Sequence, residues 1–146
     1  MEDDIFTEKP VTEIYRDQSV AIGTFVGGPL VAGYLIADNF KRLGQPGKVA
    51  ITWVISVAVT LGIFAAGIFI PGIERIPSFV IPLLYTFIAH ILTRNYQGPL
   101  INDHISRGGP VFSNWRAVGV GLIGLVIVLS VIITIAAMVS PASLEQ

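Results

Sequence analysis

A stretch of 20 residues without a formal charge, residues 18–37, constrains the fold more than any other part of the chain. At 1.5 Å per residue, a helix of this length crosses a hydrocarbon layer of about 30 Å. The stretch also contains four glycines and a proline: Gly23, Gly27, Gly28, Pro29 and Gly33. The first two glycines offer a bare strip of backbone to a neighbouring helix. The proline cannot donate a backbone hydrogen bond, which predicts a kink. We therefore expect a kinked first helix that other parts of the protein cover.

Three further stretches are long enough to cross a membrane. Residues 49–73 and 117–144 contain no Asp, Glu, Lys or Arg, and residues 76–93 contain one histidine. Only 13% of the chain is charged, against about 25% in globular proteins. These patterns predict an all-α polytopic membrane protein with four transmembrane helices, at about 17–40, 48–70, 77–96 and 114–139. They form one domain, 17–140, between a flexible acidic tail at 1–16 and a C-terminal tail at 141–146.

A short interfacial helix is expected between the third and fourth predicted helices. Pro99 suits a first helical position, and two glycines follow Arg107. Trp53 and Trp115 stand near the starts of the second and fourth predicted helices, where amphipathic aromatic side chains favour the headgroup level. We interpret both as interface anchors, with the lipid bilayer as the surrounding partner.

Composition excludes several classes of protein. The chain has no cysteine, which rules out disulfides and thiolate metal sites. Its net charge of −1 provides no basic surface for nucleic acid. No phosphate-binding loop, zinc-protease helix or catalytic triad order appears. Neither a cofactor nor a metal is predicted.

The distribution of Lys and Arg predicts the orientation in the membrane. The loops at 39–48 and 97–114, with the adjoining helix ends, hold six of these residues, and the two tails and the 71–77 link hold three. The positive-inside rule then places the two loops in the cytoplasm and both termini outside.

A group of polar residues near the end of the third predicted helix is the candidate site for chemistry: His90, Asn102, Asp103, His104 and Arg107. Histidine and aspartate can exchange protons or hold a divalent metal. The spacing of the two histidines matches no recognised ligand motif, and adjacent helical residues point in different directions. A solvated loop facing lipid headgroups is the favoured interpretation. For His90, a neutral imidazole that bonds a neighbouring helix or extends to the interface is favoured over a functional group.

The Gly-Gly-Pro break has two interpretations. Many transporters hold substrates at broken helices in mid-membrane, and six hydroxyls could line a polar path: Thr24, Ser56, Thr60, Thr86, Ser130 and Thr134. Glycine and proline are also common in membrane helices solely for packing, and hydroxyls often bond their own helix backbone. Packing is favoured, with Gly121 and Gly124 of the fourth predicted helix as partners in close contact. Asp38 is expected to form a local ion pair with Lys41 or Arg42.

The run from Thr24 to Phe40, Thr-Phe-Val-Gly-Gly-Pro-Leu-Val-Ala-Gly-Tyr-Leu-Ile-Ala-Asp-Asn-Phe, resembles the first helix of a group of small, uncharacterised bacterial inner-membrane proteins. The later Gln97-Gly-Pro, His104, Gly108-Gly109 and Ser113-Asn-Trp-Arg116 are similar to the second half of that group. The resemblance spans about residues 15–138. It implies a helical fold and an inner-membrane location, and no activity.

Three functions follow as hypotheses. The first is a non-enzymatic structural or assembly component that packs through its glycine-rich first helix, as a homo-oligomer or with a membrane-protein partner. The second is a small transporter or channel subunit that uses the break in this helix. The third is a membrane-interface enzyme that uses His90, Asp103 and His104.

Overall fold

The computed structural model describes residues 8–139, and this part of the chain is helical. Its α-helices are α1 (Asp17–Gly27), α2 (Pro29–Arg42), α3 (Val49–Phe69), α4 (Val80–Tyr96), α5 (Gly98–Ser106) and α6 (Asn114–Val139). Short 3-10 turns at Pro46–Lys48 and Ile73–Arg75 precede α3 and α4. Within residues 8–139 the only β-type pairing is an isolated bridge between Ile14 and Val111. The all-helical prediction is confirmed for this part of the chain.

The first apolar stretch folds into a helical hairpin. The backbone nitrogen of Tyr15, just before α1, lies 2.8 Å from Oδ1 of Asn39, near the end of α2. In one continuous helix these residues would stand about 36 Å apart. The predicted single kinked helix at 17–40 is therefore wrong, because the chain reverses direction at Gly28 and returns to the level at which it started.

The backbone at the tip of the hairpin explains this reversal. Gly28 has φ 82° and ψ −173°, a conformation that is essentially restricted to glycine. Pro29 occupies the first position of α2, where its missing N–H has no helical partner in any case. The Gly28 N–H donates to the carbonyl of Thr24 at 2.7 Å, and the Pro29 carbonyl accepts the hydroxyl of Ser56 at 2.7 Å. Gly28 and Pro29 thus allow a tight turn in which the Gly28 N–H and the Pro29 carbonyl are both hydrogen-bonded.

Helix α6 runs parallel to α1. At the start of both helices, Ser19 donates a hydrogen bond to the side chain of Asn114 at 2.6 Å. One turn later Gly23 faces Ala117, and a further turn later Gly27 faces Gly121. Small residues on both helices allow the two backbones to approach closely.

Helix α3 packs against α2, and helix α4 packs mainly against α1. Helix α3 runs antiparallel to α2, so that Ser56 lies against Gly33. Helix α4 runs parallel to α2, and its C-cap residue Gln97 donates to the carbonyl of Ile36 at 2.8 Å. We call the end of the molecule that holds residues 8–16, 43–48 and 97–113 the base end, and the end that holds residues 70–79 the far end.

The hairpin covers only the half of the bundle nearest the base end. With 11 residues, α1 is about 16 Å long. The tip touches Ser56 and Gly121, which are each the eighth residue of α3 and α6. Beyond the tip, α3 and α6 continue for 13 and 18 residues to the far end.

Two helical segments are long and apolar enough to cross a membrane, Pro46–Phe69 and Asn114–Val139. Four such segments were expected. Helices α1 and α2 have 11 and 14 residues, because the hairpin divides the first stretch. The third predicted helix, 77–96, begins only at Val80 and has 17 residues.

The N-terminal segment also differs from expectation. Ile14 and Tyr15, assigned by the sequence to a flexible tail, are fully buried. The backbone of Ile14 bonds to that of Phe112 at 2.8 Å, so residues 8–16 share the base end with the loops at 43–48 and 97–113. The predicted placement of the N-terminal segment opposite these loops is wrong for residues 8–16. Residues 1–7 and the predicted C-terminal tail at 141–146 lie outside the described residues.

The conformation of Gly28 leads to a prediction about stability. Replacing Gly28 by Ala adds a methyl group with no atom within 4 Å, so any cost arises from the backbone alone. We expect the free energy of unfolding to fall by about 1–3 kcal/mol, as measured by denaturant titration in detergent micelles. Gly62→Ala on α3, also without a neighbour within 4 Å and in helical conformation, is the matched control. An equal response of the two variants would contradict the strained turn.

The close approach of α1 and α6 leads to a second prediction. A Cβ atom on Gly27 would lie 2.6 Å from the carbonyl oxygen of Gly121 and 2.8 Å from its Cα. Because these are backbone atoms, Gly27→Ala must push the two helices apart. We expect a loss of about 1–3 kcal/mol in the same unfolding measurement. Gly119→Ala on α6, where a Cβ atom meets nothing within 4 Å, should retain wild-type stability.

Candidate functional site

Three residues close the base of the hairpin, and we call Tyr15, Asn39 and Gln97 the hairpin clamp. The side chain of Asn39 accepts the N–H of Tyr15 and donates to its carbonyl, each at 2.8 Å. The same amide donates to Oε1 of Gln97 at 3.2 Å. All three residues are fully buried. The clamp therefore joins the start of α1, the end of α2 and the end of α4 through polar groups that water does not reach.

An aromatic and arginine cluster adjoins the clamp. The rings of Tyr15 and Phe112 lie 4.6 Å apart between centroids. The guanidinium carbons of Arg116 and Arg42 stand 4.1 Å and 5.0 Å from the centroid of the Phe112 ring. Arg116 also donates from Nε to the Tyr15 hydroxyl at 3.1 Å. These cation–π contacts attach the loop before α6 to the hairpin.

Helices α2, α3 and α4 enclose a groove of about 510 Å³, which we call the α2 groove. Helix α2 forms its floor, and α3 and α4 form its walls. Its lining includes Ala32, Gly33 and Ile36 from the floor, Ile51, Ile55 and Val59 from α3, and Tyr85, Ile88 and Leu92 from α4. Lys48 lies at the base end of the groove, with its ammonium 5.3 Å from the centroid of the Phe40 ring.

A smaller cavity of about 190 Å³ lies beside the tip of the hairpin. The tip residues Gly28 and Pro29 line it, together with Ile63 and Phe64 of α3 and Leu125 of α6. Among residues 8–139, its lining contains no charged side chain. This cavity is suited to apolar contents rather than to an ion.

The hydroxyls that the sequence placed along a polar path are mostly bonded to the backbone of their own helices. Thr24, Thr60, Ser130 and Thr134 each donate to the carbonyl four residues earlier. Ser56 donates across to Pro29 at the tip. Thr86 Oγ1 is buried and has no partner within residues 8–139. The six hydroxyls therefore do not form a continuous polar path.

The candidate polar residues do not form one site, because each has a different partner or environment. Asp103 pairs with Arg107 at 2.6 Å, one turn apart and exposed to solvent, and Asn102 beside them is also exposed. His104 is buried, and its Nε2 lies 3.0 Å from the Pro110 carbonyl. A carbonyl can only accept, so this nitrogen carries the proton. The bond ties the end of α5 to the following loop.

His90 lies on α4, apart from these residues in the chain, and its Nδ1 is buried without a partner among the described residues. Within residues 8–139, no three histidine or carboxylate side chains are grouped so that they could hold a metal ion. The predicted local ion pair of Asp38 is confirmed with Arg42, at 2.7 Å.

The remaining predicted positions lie at helix contacts and helix starts. Gly33 packs against Ser56, and Gly124 lies against Val31. Trp53 and Trp115 lie within the first five residues of α3 and α6, both at the base end, and are 39% and 81% exposed. Their role as interface anchors stays a prediction.

The clamp and the aromatic and arginine cluster at the base end were not predicted from the sequence. Asn39 and Gln97 appeared as polar residues at the ends of apolar stretches, where they are usually solvated. Phe112 lay in a loop, and Tyr15 lay in the predicted tail. One signal was present. The Gly28-Pro29 pair divides the 20-residue stretch almost equally, as the tip of a hairpin would.

The clamp leads to a prediction. Asn39→Ala leaves both backbone groups of Tyr15 and the Oε1 of Gln97 without a partner in a buried site. We expect the free energy of unfolding in detergent to fall by at least about 1–3 kcal/mol. Asn102→Ala, at an exposed position of α5, should change it little. If the two substitutions have the same effect, the clamp does not hold the hairpin together.

Comparison of the chain with models of known protein families, with curated proteins and with solved structures finds no match. The resemblance of residues 15–138 to small bacterial inner-membrane proteins therefore stays a prediction. The function has to be inferred from the geometry of the hairpin, the groove and the base end.

Proposed function

We propose that this chain is a multi-pass integral membrane protein in which α3, α4 and α6 cross the bilayer. The hairpin α1–α2 enters from the base end and returns to it. The outer faces of the long helices support this, because large apolar side chains such as Leu61, Ile123 and Ile133 are more than 60% exposed. Such a surface is unfavourable in water and suited to lipid. Helix α4, with 17 residues, is at the lower limit of spanning length.

The charges at the two ends support an orientation. One cation, Arg75, lies in the segment at the far end. Eight of the nine Lys and Arg residues lie at the base end: Lys9, Arg16, Lys41, Arg42, Lys48, Arg94, Arg107 and Arg116. The positive-inside rule then places the base end in the cytoplasm. The resemblance noted above favours the inner membrane of a bacterium.

The role we propose is that of a non-enzymatic structural or assembly component. The observation that carries this proposal is the hairpin clamp. At this fully buried polar site, every side-chain bond of Asn39 and Gln97 is made to a neighbouring segment of the same chain. The glycine-rich face of α1 is likewise covered by α6. Assembly with a second copy or another membrane protein would therefore use the outer faces of α3 and α6.

The two other functions have weaker support. A re-entrant hairpin is the kind of element that lines pathways in transporters, but the cavities beside this tip are apolar, with Lys48 as the one charged lining residue among residues 8–139. An interface enzyme would require His90, Asp103 and His104 to converge. Asp103 is paired with Arg107 and His104 with a backbone carbonyl instead.

Cysteine labelling tests the re-entrant hairpin. The chain has no cysteine, so a single introduced thiol reports one position. Suitable exposed sites are Thr12, Ser78 and Asn102. We expect a membrane-impermeant maleimide to label Ser78→Cys in intact spheroplasts. Thr12→Cys and Asn102→Cys should react only after the membrane is permeabilised.

The three variants separate the possible arrangements. If the first stretch crossed the membrane once, Thr12→Cys would react together with Ser78→Cys, and the hairpin proposal would fail. If Thr12→Cys and Asn102→Cys reacted in intact spheroplasts and Ser78→Cys did not, the hairpin would stand and the orientation would be reversed. A denatured sample of each variant serves as the control for total reactivity.

A further inference from the structure

The length of the α2 groove matches one leaflet of a bilayer. It extends along α3 from Lys48, at the base end, to Val59, level with the tip of the hairpin. Eleven helical residues correspond to about 16 Å, roughly half of a hydrocarbon core that is about 30 Å thick. The groove therefore begins at the level of the headgroups and ends near mid-membrane.

The groove is lined mostly by apolar side chains, with Tyr85 and Tyr96 of α4 among them and the charged residue Lys48 at its base end. The hydroxyls of Thr52 and Ser56 line it, and both already donate to backbone carbonyls, of Lys48 and Pro29. The middle of the groove thus offers no unpaired hydroxyl from α3 to a ligand. At the mouth, the Lys48 ammonium lies over the Phe40 ring and forms no ion pair within residues 8–139.

Building on the membrane arrangement proposed above, we propose that the α2 groove binds one acyl chain of an anionic phospholipid from the base-end leaflet, with the lipid phosphate at Lys48. The volume of about 510 Å³ lies within the range of about 300–1,000 Å³ that small-molecule sites occupy. A partner helix, about 10 Å across, is too wide to occupy the groove and could insert only its side chains. Lys48 places a positive charge at the headgroup level, at the mouth of an apolar channel one leaflet deep. This arrangement complements an anionic phospholipid better than an uncharged hydrocarbon ligand.

The test uses the full-length protein, purified in detergent and incubated with stoichiometric phosphatidylglycerol or phosphatidylcholine. Native mass spectrometry then counts the lipids retained. We expect one phosphatidylglycerol to be retained, more tightly than phosphatidylcholine. Lys48→Gln should weaken phosphatidylglycerol binding about fivefold, the effect of one lysine near an anionic surface, and leave phosphatidylcholine binding unchanged. Lys41→Gln, which removes an exposed cation of the base end that does not line the groove, is the matched control.

A second pair of variants tests the groove itself. Ile55→Trp fills the groove from a position on α3 that is 52% exposed, and Val54→Trp adds the same side chain at an adjacent position outside the groove lining. Ile55→Trp should abolish retention of both lipids, and Val54→Trp should not. The thermal midpoint of each variant in detergent reports whether it folds. If Ile55→Trp does not fold, the lysine pair still decides the proposal.

Three results would overturn the proposal. Equal losses with Lys41→Gln and Lys48→Gln would indicate attraction to the base end as a whole. Retention of lipid by folded Ile55→Trp would place the acyl chain elsewhere. A wild-type dimer without lipid that Ile55→Trp disrupts would mean that a second copy occupies the groove.

Discussion

The side-chain amide of Asn39 forms the two hydrogen bonds that the backbone N–H and C=O of Tyr15 would otherwise make with other backbone groups. The arrangement of the helices depends on these two bonds. The N–H and C=O of Tyr15 stand just before α1, where helical bonding has not begun. Both would be orphaned if they were buried against apolar side chains, at a cost of about 1–3 kcal/mol each. Asn39 satisfies both with one planar group and fixes the end of α2 beside the start of α1. Two short helices are thereby held antiparallel at their open end.

At the tip of the hairpin, different residues satisfy the same requirement that buried backbone groups be hydrogen-bonded. In lipid, an unpaired peptide group at mid-membrane costs several kcal/mol, so irregular backbone survives there only where protein covers it. Pro29 removes one donor, Gly28 donates back into α1, and Ser56 of α3 donates to the Pro29 carbonyl. The tip therefore depends on α3 and on the close packing of α6. In the membrane arrangement proposed above, a hairpin without these helices would leave its tip exposed to hydrocarbon.

The helix bounds depend on periodicity and composition, and they could be predicted from the sequence. The hairpin and its clamp depend on pairing between distant residues, and they could not. Helices α3, α5 and α6 lie close to their predicted bounds, because their apolar runs and their flanking glycines and prolines are local signals. The Gly28-Pro29 pair was recognised as a break, but a kink and a reversal have the same local chemistry. Contacts between distant residues distinguish them, such as those of Tyr15 with Asn39, 24 residues apart, and of Gly23 with Leu35. Likewise, Gln97 joins the base only because α4 returns beside the hairpin and ends next to α2.

The groove and the hairpin are connected by shared residues. Gly33 allows α3 to approach α2 closely at Ser56, and the hydroxyl of Ser56 is turned toward the tip rather than toward a ligand. The bond that completes the tip thus removes a polar group from the groove. Because α2 begins at the tip, the floor of the groove also ends there, which limits the groove to the half of the bundle nearest the base end. In the membrane arrangement proposed above, this half corresponds to one leaflet, and a hairpin that reached the far end would have opened the groove to both. The half-depth of α1 and α2 therefore accounts for the shape of the cavity and for its polarity.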